Sequence, residues 1–508
     1  MNLHYRSGLG LPTILMGCVL GGLVSLAAGQ DAPPAPFRPD IPKTWVDSEM
    51  EELEVPLVVP EFSPVQVPAD YYYRLRTRSV YKSYPIYMLG REPTGYIESL
   101  GELEPEIILD ISSLKTREDW VRAGEKVFDA PTQFIPYSAE ELEFLYFKWH
   151  DRMNVPDPPN GVVPYFDLVI REKGKLEIGV ISCRQCHIRV MPDGTLIKGA
   201  QGNFPNVALG YEKSKAESLK ANRFLYATPW MEPDPIDSLG EMSLEEIYEL
   251  HAAIPPGVIP RHRTTPFLPV QVPDLIGVQD RKYLDRTGLQ QHRGIVDLMR
   301  YAALNSGGDN LADFAGFVPV AMYTPDGKLP PPESGPSRWG DPELYALALY
   351  IYSLKPPENP NPFDETAARG QEVFQAEGCG GCHTPPLYTN NKLTPVQGFD
   401  VPAEHRERYD ILDVSVGTDP GLATKTRRGT GYYKVPSLKG VWYRGHFGHD
   451  GSCQTLEDWF DPARLQEDYV PTGFKGYKVD HRAVPGHEFG LKLPPGEKAA
   501  LIAFLRTI

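Results

Sequence analysis

The sequence is sparing with cysteine, which occurs six times among 508 residues. So few cysteines exclude a disulfide-stapled scaffold, which would be dense in bridges. Surplus positive charge is missing as well. Lysine and arginine number 51 against 67 acidic residues, and the formal charge of −16 argues against nucleic acid as a partner. Long apolar runs are also scarce. Beyond the first thirty residues no stretch approaches the roughly 18 uninterrupted apolar residues that cross a bilayer, so no transmembrane helix is expected in the mature chain. The apolar share of 41% and charged share of 23% are those of an ordinary globular protein.

Proline, in contrast, is plentiful. The 52 prolines are about twice the usual share of roughly 5%, which predicts stiff, irregular connections between modest helices. The length calls for two or more domains. Residues 1–29 read as a signal peptide: an arginine-bearing start, the apolar "LPTILMGCVLGGLVSL", then small residues near a cut. Pro12 and three glycines interrupt that stretch, so a permanent membrane helix is not expected. Cys18 in "LMGC" loosely fits a lipoprotein box, with Met16 a poor match. The mature protein is expected in the periplasm or otherwise exported.

Four of the remaining cysteines fall in two copies of one pattern, C-x-x-C-H: "CRQCH" at 183–187 and "CGGCH" at 379–383. Cys453 stands alone and reads as a small packing residue. The surroundings of the two motifs repeat too. "RAGEKVF" before the first matches "ARGQEVF" before the second, both on candidate amphipathic helices (121–131 and 367–378). "VPDLIGV" (272–278) follows the first and "VPSLKGV" (435–441) the second. Each half closes on an apolar helix candidate, at 342–354 and 496–508. The halves differ by an insertion: about fifty residues separate Phe128 from Cys183, but only four separate Phe374 from Cys379. A proline-stiffened boundary at 352–365 divides the chain. The expected domains are a proline- and acid-rich arm (30–114) wrapped on the first half, a first domain with insertions (115–355) and a second domain (363–508).

C-x-x-C-H has a mechanical logic as a haem attachment site. Each sulfur adds across a vinyl group, and the adjacent histidine reaches the iron. This assigns two covalent haem c groups, held by Cys183, Cys186 and His187 and by Cys379, Cys382 and His383, with the two histidines as proximal iron ligands. A redox dithiol would need a strand–helix context, and the sequence around neither copy reads as βαβ-like. A four-cysteine zinc site uniting both pairs is the remaining alternative.

A helix before C-x-x-C-H and a helix closing the module resemble class I cytochrome c. The stretch "VPSLKGVWYRGHFGHDGSCQTLEDWFDP" resembles that of bacterial dihaem cytochrome c peroxidases. Their relatives include the dihaem enzyme that matures methylamine dehydrogenase and the dihaem rubber oxygenases. The resemblance spans about 115–508 in motif order, more closely in the second half. It implies a mainly α fold of two cytochrome c-like domains with long irregular proline-rich loops. It also implies oxidoreductase activity with electron transfer.

In class I cytochromes c a methionine before the closing helix is commonly the sixth ligand. Here His487 of "VPGHEFG" takes its place, which implies bis-histidine ligation of the second haem by His383 and His487. His449, then His446, are the alternatives. No methionine follows Met322, so methionine ligation there is excluded. The first half has Arg338 and Trp339 where the ligand should be, with Tyr283 and Arg286 at the positions of His446 and His449. Its iron is therefore expected to keep an open position for peroxide or dioxygen, with Arg338 the candidate distal acid–base group. Met231, Met299, Met322, His262 and His292 could still fill it. Met299 reads as a packing residue, and the two histidines as solvated. Trp442, Tyr443 and Trp459 are expected to pack around the second porphyrin.

The leading reading is thus an exported oxidoreductase. Its second haem relays electrons with a soluble donor or acceptor protein, while its first reacts with peroxide or dioxygen. The alternatives are a pure electron carrier with both irons six-coordinate and a haem subunit of a larger redox complex.

Overall fold

The computed structural model describes residues 36–88, 90–140, 160–205, 213–260, 263–307, 311–324 and 326–508. The expected signal peptide, Cys18 and His262 lie outside these residues. Among the described residues no helix is long and apolar enough to cross a membrane.

Each repeat is built on a pair of crossing helices. Helix α1 (Arg117–Asp129) starts at a reciprocal cap in which Thr116 accepts from Asp119 N and the Asp119 carboxylate accepts from Thr116 N. Its buried residues, Trp120, Ala123, Gly124, Val127 and Phe128, follow helical spacing and form one apolar stripe. That stripe meets the first closing helix. A methyl group at Gly124 would run into the Ala346 carbonyl and the Tyr350 side chain, so only glycine permits the crossing. The second half repeats the device: a methyl at Gly370 would strike the Ala500 carbonyl and Phe504. The duplicated sequence thus carries a duplicated contact, Gly124 with the closing helix of the first half and Gly370 with that of the second.

The insertion between Phe128 and Cys183 is not simply loop. Strands β1 (Ser83–Tyr87), β2 (Gln133–Pro136), β3 (Val162–Glu172) and β4 (Lys175–Val180) form an antiparallel sheet in the order β1-β3-β4-β2. This corrects the expectation of helices and loops alone. Strand β3 is buried along eight successive residues, so "VPYFDLVI" shows no alternation that would mark it as a strand. The arm contributes β1 to this sheet.

Helix α2 (Cys183–His187) carries the first motif, followed by α3 (Ile295–Asn305) and the closing helix α4 (Asp341–Ser353). Then come α5 (Glu365–Ala376) and the closing helix α6 (Pro495–Arg506). One core gathers Phe128, Leu298, Met299, Leu344 and Leu347 with Trp45 and Tyr72 of the arm. A second gathers Val373, Phe374, Leu501 and Phe504. Arg38–Ile508 forms one compact unit.

Candidate functional site

The second motif opens where α5 ends. Gly378, at φ +75, reverses the chain into a 3-10 turn at Cys379–Gly381. His383 N then donates to the Cys379 carbonyl at 2.8 Å. This tight turn brings Cys379, Cys382 and His383 to line one cavity of about 270 Å³. Phe374 of α5, Leu501 and Leu505 of α6, and Val441, Leu456 and Trp459 give it an apolar lining. The Nδ1 of His383 lies 3.2 Å from the Tyr388 carbonyl. A carbonyl only accepts, so Nδ1 carries the proton and Nε2 is left for a metal.

His487 and His449 line the same cavity, whereas His446 does not. The His487 loop is held by Arg464, which is fully buried. Its guanidinium donates to the carbonyls of Trp459 (2.8 Å), Val484 (2.7 Å) and His487 (2.7 Å) and lies 4.5 Å over the Trp459 ring. Trp459 in turn meets the His487 ring nearly edge-on at 5.5 Å. The Nδ1 of His487 is buried without a hydrogen-bond partner. Burial, then the nearby His383 and Arg464, lower the His487 pKa to about 4, so its imidazole is neutral, the form that binds metal. His449 packs its ring 4.9 Å from Tyr433.

Both thiols of the second motif are shifted away from the thiolate form. Burial pushes Cys379 up to about 11 and raises Cys382 as well. A redox dithiol needs the opposite shift, towards thiolate. Among the described residues no three His, Cys, Asp or Glu side chains gather as a metal site, so the zinc alternative is not assembled. Cys453 is fully buried, its thiol pushed to about 12 by that burial.

The first motif is positioned by the sheet. Ser182 caps α2 by accepting from Gln185 N at 3.1 Å, and the Gln185 side chain accepts from Ile181 N at 2.8 Å. Arg184 donates to Asp167 of β3 at 2.6 Å. Burial raises the Asp167 pKa against the opposing pull of Arg184. Cys183 packs against the core shared by α1, α3 and α4. Arg338 sits at the edge of this core and is clasped by the arm: Arg78 N donates to its carbonyl at 2.8 Å, and its guanidinium lies 5.2 and 5.0 Å over the Tyr72 and Tyr73 rings. Tyr72 stacks on Trp45 at 4.1 Å, and its hydroxyl is buried without a hydrogen-bond partner. Sequence reasoning missed Tyr72 and Arg78. The aromatic and basic run "YYYRLRTR" (71–78) was the available signal.

Several expectations need correction. His292 is buried rather than solvated; its Nδ1 meets the Arg281 carbonyl at 2.6 Å and its Nε2 the Tyr352 hydroxyl at 2.7 Å, so neither nitrogen is left for iron. Trp442 and Tyr443 turn from the cavity and pack on Ile197, Ala200 and Ile276 of the first half, while Trp459 does line it. Arg286, although in the first half, lines the second cavity. The Tyr283 hydroxyl accepts from Asp410 N at 2.9 Å, a structural role. Met299 is wholly buried in the core, Met231 is half-buried, and Met322 is exposed on a 3-10 turn.

No protein-family model and no curated protein matches this chain. Among solved structures, a chain of Kuenenia stuttgartiensis hydrazine synthase superposes with a TM-score of 0.30 at 15% identity, over 61% of this chain and 95% of that one. A MauG-like protein associated with microbial copper homeostasis gives 0.21 at 19% identity, over 33% of this chain and 56% of that one. Superpositions this loose establish neither a common fold nor a common activity.

Proposed function

We propose that this chain is an exported dihaem c-type cytochrome acting as an oxidoreductase. In this reading the second haem exchanges electrons with a soluble protein, and the first reacts with peroxide or dioxygen. One observation supports it: two thiols and three imidazoles, His383, His449 and His487, line one largely apolar cavity beside a C-x-x-C-H turn. The residues fit the group. Cys379 and Cys382 would bond it covalently, His383 Nε2 and His487 would hold its iron, and Phe374, Leu501 and Leu505 would keep water from its faces. Bound haem supplies one-electron ferric–ferrous chemistry. Two imidazoles should keep its potential below that of a histidine–methionine site.

At the first motif Cys183, Cys186 and His187 would hold the second group. Tyr72 of the arm enters the core that Cys183 packs against, Arg338 of the first half lies over its ring, and these two are the candidates for proton delivery there.

Pyridine haemochrome titration should give two haems per chain. Electron paramagnetic resonance of the oxidised protein should show one high-spin ferric signal that shifts with cyanide and one low-spin signal that does not. Two low-spin signals insensitive to cyanide would establish the pure carrier instead. His487→Ala should convert the low-spin haem to high spin. If it stays low-spin, His449 or another group is the ligand.

A further inference from the structure

Four cations meet between the two halves. Arg281, Arg286, Lys434 and Arg444 line a small cavity of about 20 Å³. The last three also line the large cavity that contains Cys379, Cys382 and His383. Arg281 and Arg444 hold equivalent places in the repeat. Each reaches back to the carbonyl of the third residue in its own V-P-x-L motif, Asp274 for Arg281 and Ser437 (2.8 Å) for Arg444. Lys434 Nζ donates to the Tyr283 carbonyl at 3.3 Å, and Arg286 donates to the Gln271 side chain and the Val272 carbonyl.

These acceptors are carbonyls and a side-chain amide. Among the described residues none of the four cations pairs with a carboxylate, and the Arg444 Nε is buried with no acceptor. Asp274, the carboxylate lining the small cavity, is already engaged: it accepts from Ile276 N at 3.0 Å and from the Tyr443 hydroxyl at 2.9 Å. Unpaired cations in a protein interior cost several kcal/mol each, even after relaxation. Burial, with repulsion from the neighbouring arginines, drives Lys434 far below its ordinary pKa and Arg286 down to about 9. The cluster lacks an anion.

We propose that Arg281, Arg286, Lys434 and Arg444 bind the two propionate carboxylates of the haem attached at Cys379 and Cys382, and that their surplus positive charge raises its reduction potential. The inference rests on the reading that haem occupies the second cavity. Two carboxylates leave the four cations in excess. One-electron reduction of ferric iron by a soluble donor removes one positive charge from the haem, so fixed cations nearby favour the reduced form.

The test uses the exported holoprotein and three variants: Lys434→Met, Arg286→Gln and the charge-keeping Arg444→Lys. Haem content comes first. Fewer than two haems in the wild type would end the underlying reading, whatever the variants do. With both haems attached, spectroelectrochemical titration should show Lys434→Met and Arg286→Gln each lowering the potential of the low-spin haem more than that of the other. Arg444→Lys should stay closer to wild type. Thermal unfolding provides an independent sign. With propionates bound, Lys434→Met lowers the holoprotein's midpoint; with the cations facing only one another, it relieves repulsion and raises it. Arg286→Gln serves where Lys434→Met does not fold. An unchanged potential in both charge-removing variants, or a raised unfolding midpoint, would overturn the proposal. So would a wild-type potential that follows added phosphate, which would assign the cluster to a free anion.

Discussion

Arg464 shows how one side chain places another. Its three donors take the carbonyls of Trp459, Val484 and His487, so the loop carrying His487 is fixed from beneath. Replacing it by Ala orphans three carbonyls, each at a cost of roughly 1–3 kcal/mol. Arg464→Ala is expected to lower the unfolding midpoint. At temperatures where the chain is still folded, it should move the second haem from low to high spin, read in the ferric spectrum. Arg464→Lys should recover only part, because an ammonium lacks the fork of donors. Asp297 supplies a pH test. It is 2% exposed; burial pushes its pKa up, but hydrogen bonds from Arg293, the charge of Arg293 and a hydrogen bond from Arg300 outweigh this and hold it below the ordinary value of about 3.9. Its folded pKa is therefore below its unfolded one. The stability it adds is present above the unfolded pKa and is lost as pH falls through the folded value. Asp297→Asn should flatten the acid limb of stability against pH, measured by denaturant titration from pH 6 downward. These roles could not be read in the chain, because the partners of Arg464 and Asp297 are set by folding.

At the level of elements, the repeat was legible and its insertion was not. The matching RAGEKVF and ARGQEVF segments are local signals, and the helices expected at 121–131 and 367–378 form at Arg117–Asp129 and Glu365–Ala376. Gly124→Ala and Gly370→Ala should each destabilise by about 1–3 kcal/mol, since the added methyl meets the backbone of the closing helix. Gly101→Ala, which meets nothing within 4 Å, should change stability little. Chemical denaturation compares the three. The four-stranded sheet was missed because β3 is buried on both faces and lacks alternation. That sheet is also what anchors α2, through Asp167 and Arg184.

Across the whole molecule the two halves are tied by polar contacts as well as packing. Tyr443 donates to Asp274 at 2.9 Å, Arg189 to the Gly445 carbonyl at 2.8 Å and Thr430 to the Thr287 carbonyl at 2.7 Å. The arm joins both: Trp45 and Tyr72 enter the first core, while Val55 packs with Leu393, Tyr409 and Tyr432 of the second half. Calorimetry of the holoprotein should therefore give one cooperative transition for Arg38–Ile508. Two separate transitions would show that the halves melt independently.

The sequence by itself determined the chemistry-bearing pentapeptides, the twofold order of helices around them and the absence of a later methionine, because these depend on residue type and spacing along the chain. Only the tertiary structure decided that His487 and His449 share a cavity with His383 while His446 does not. It alone placed Tyr72 beside Arg338, satisfied both nitrogens of His292, and gathered Arg286 of the first half with Lys434 and Arg444 of the second. The physical reason is distance: each of these depends on side chains far apart in the chain, and only the packing of helices, sheet and arm sets how close they come.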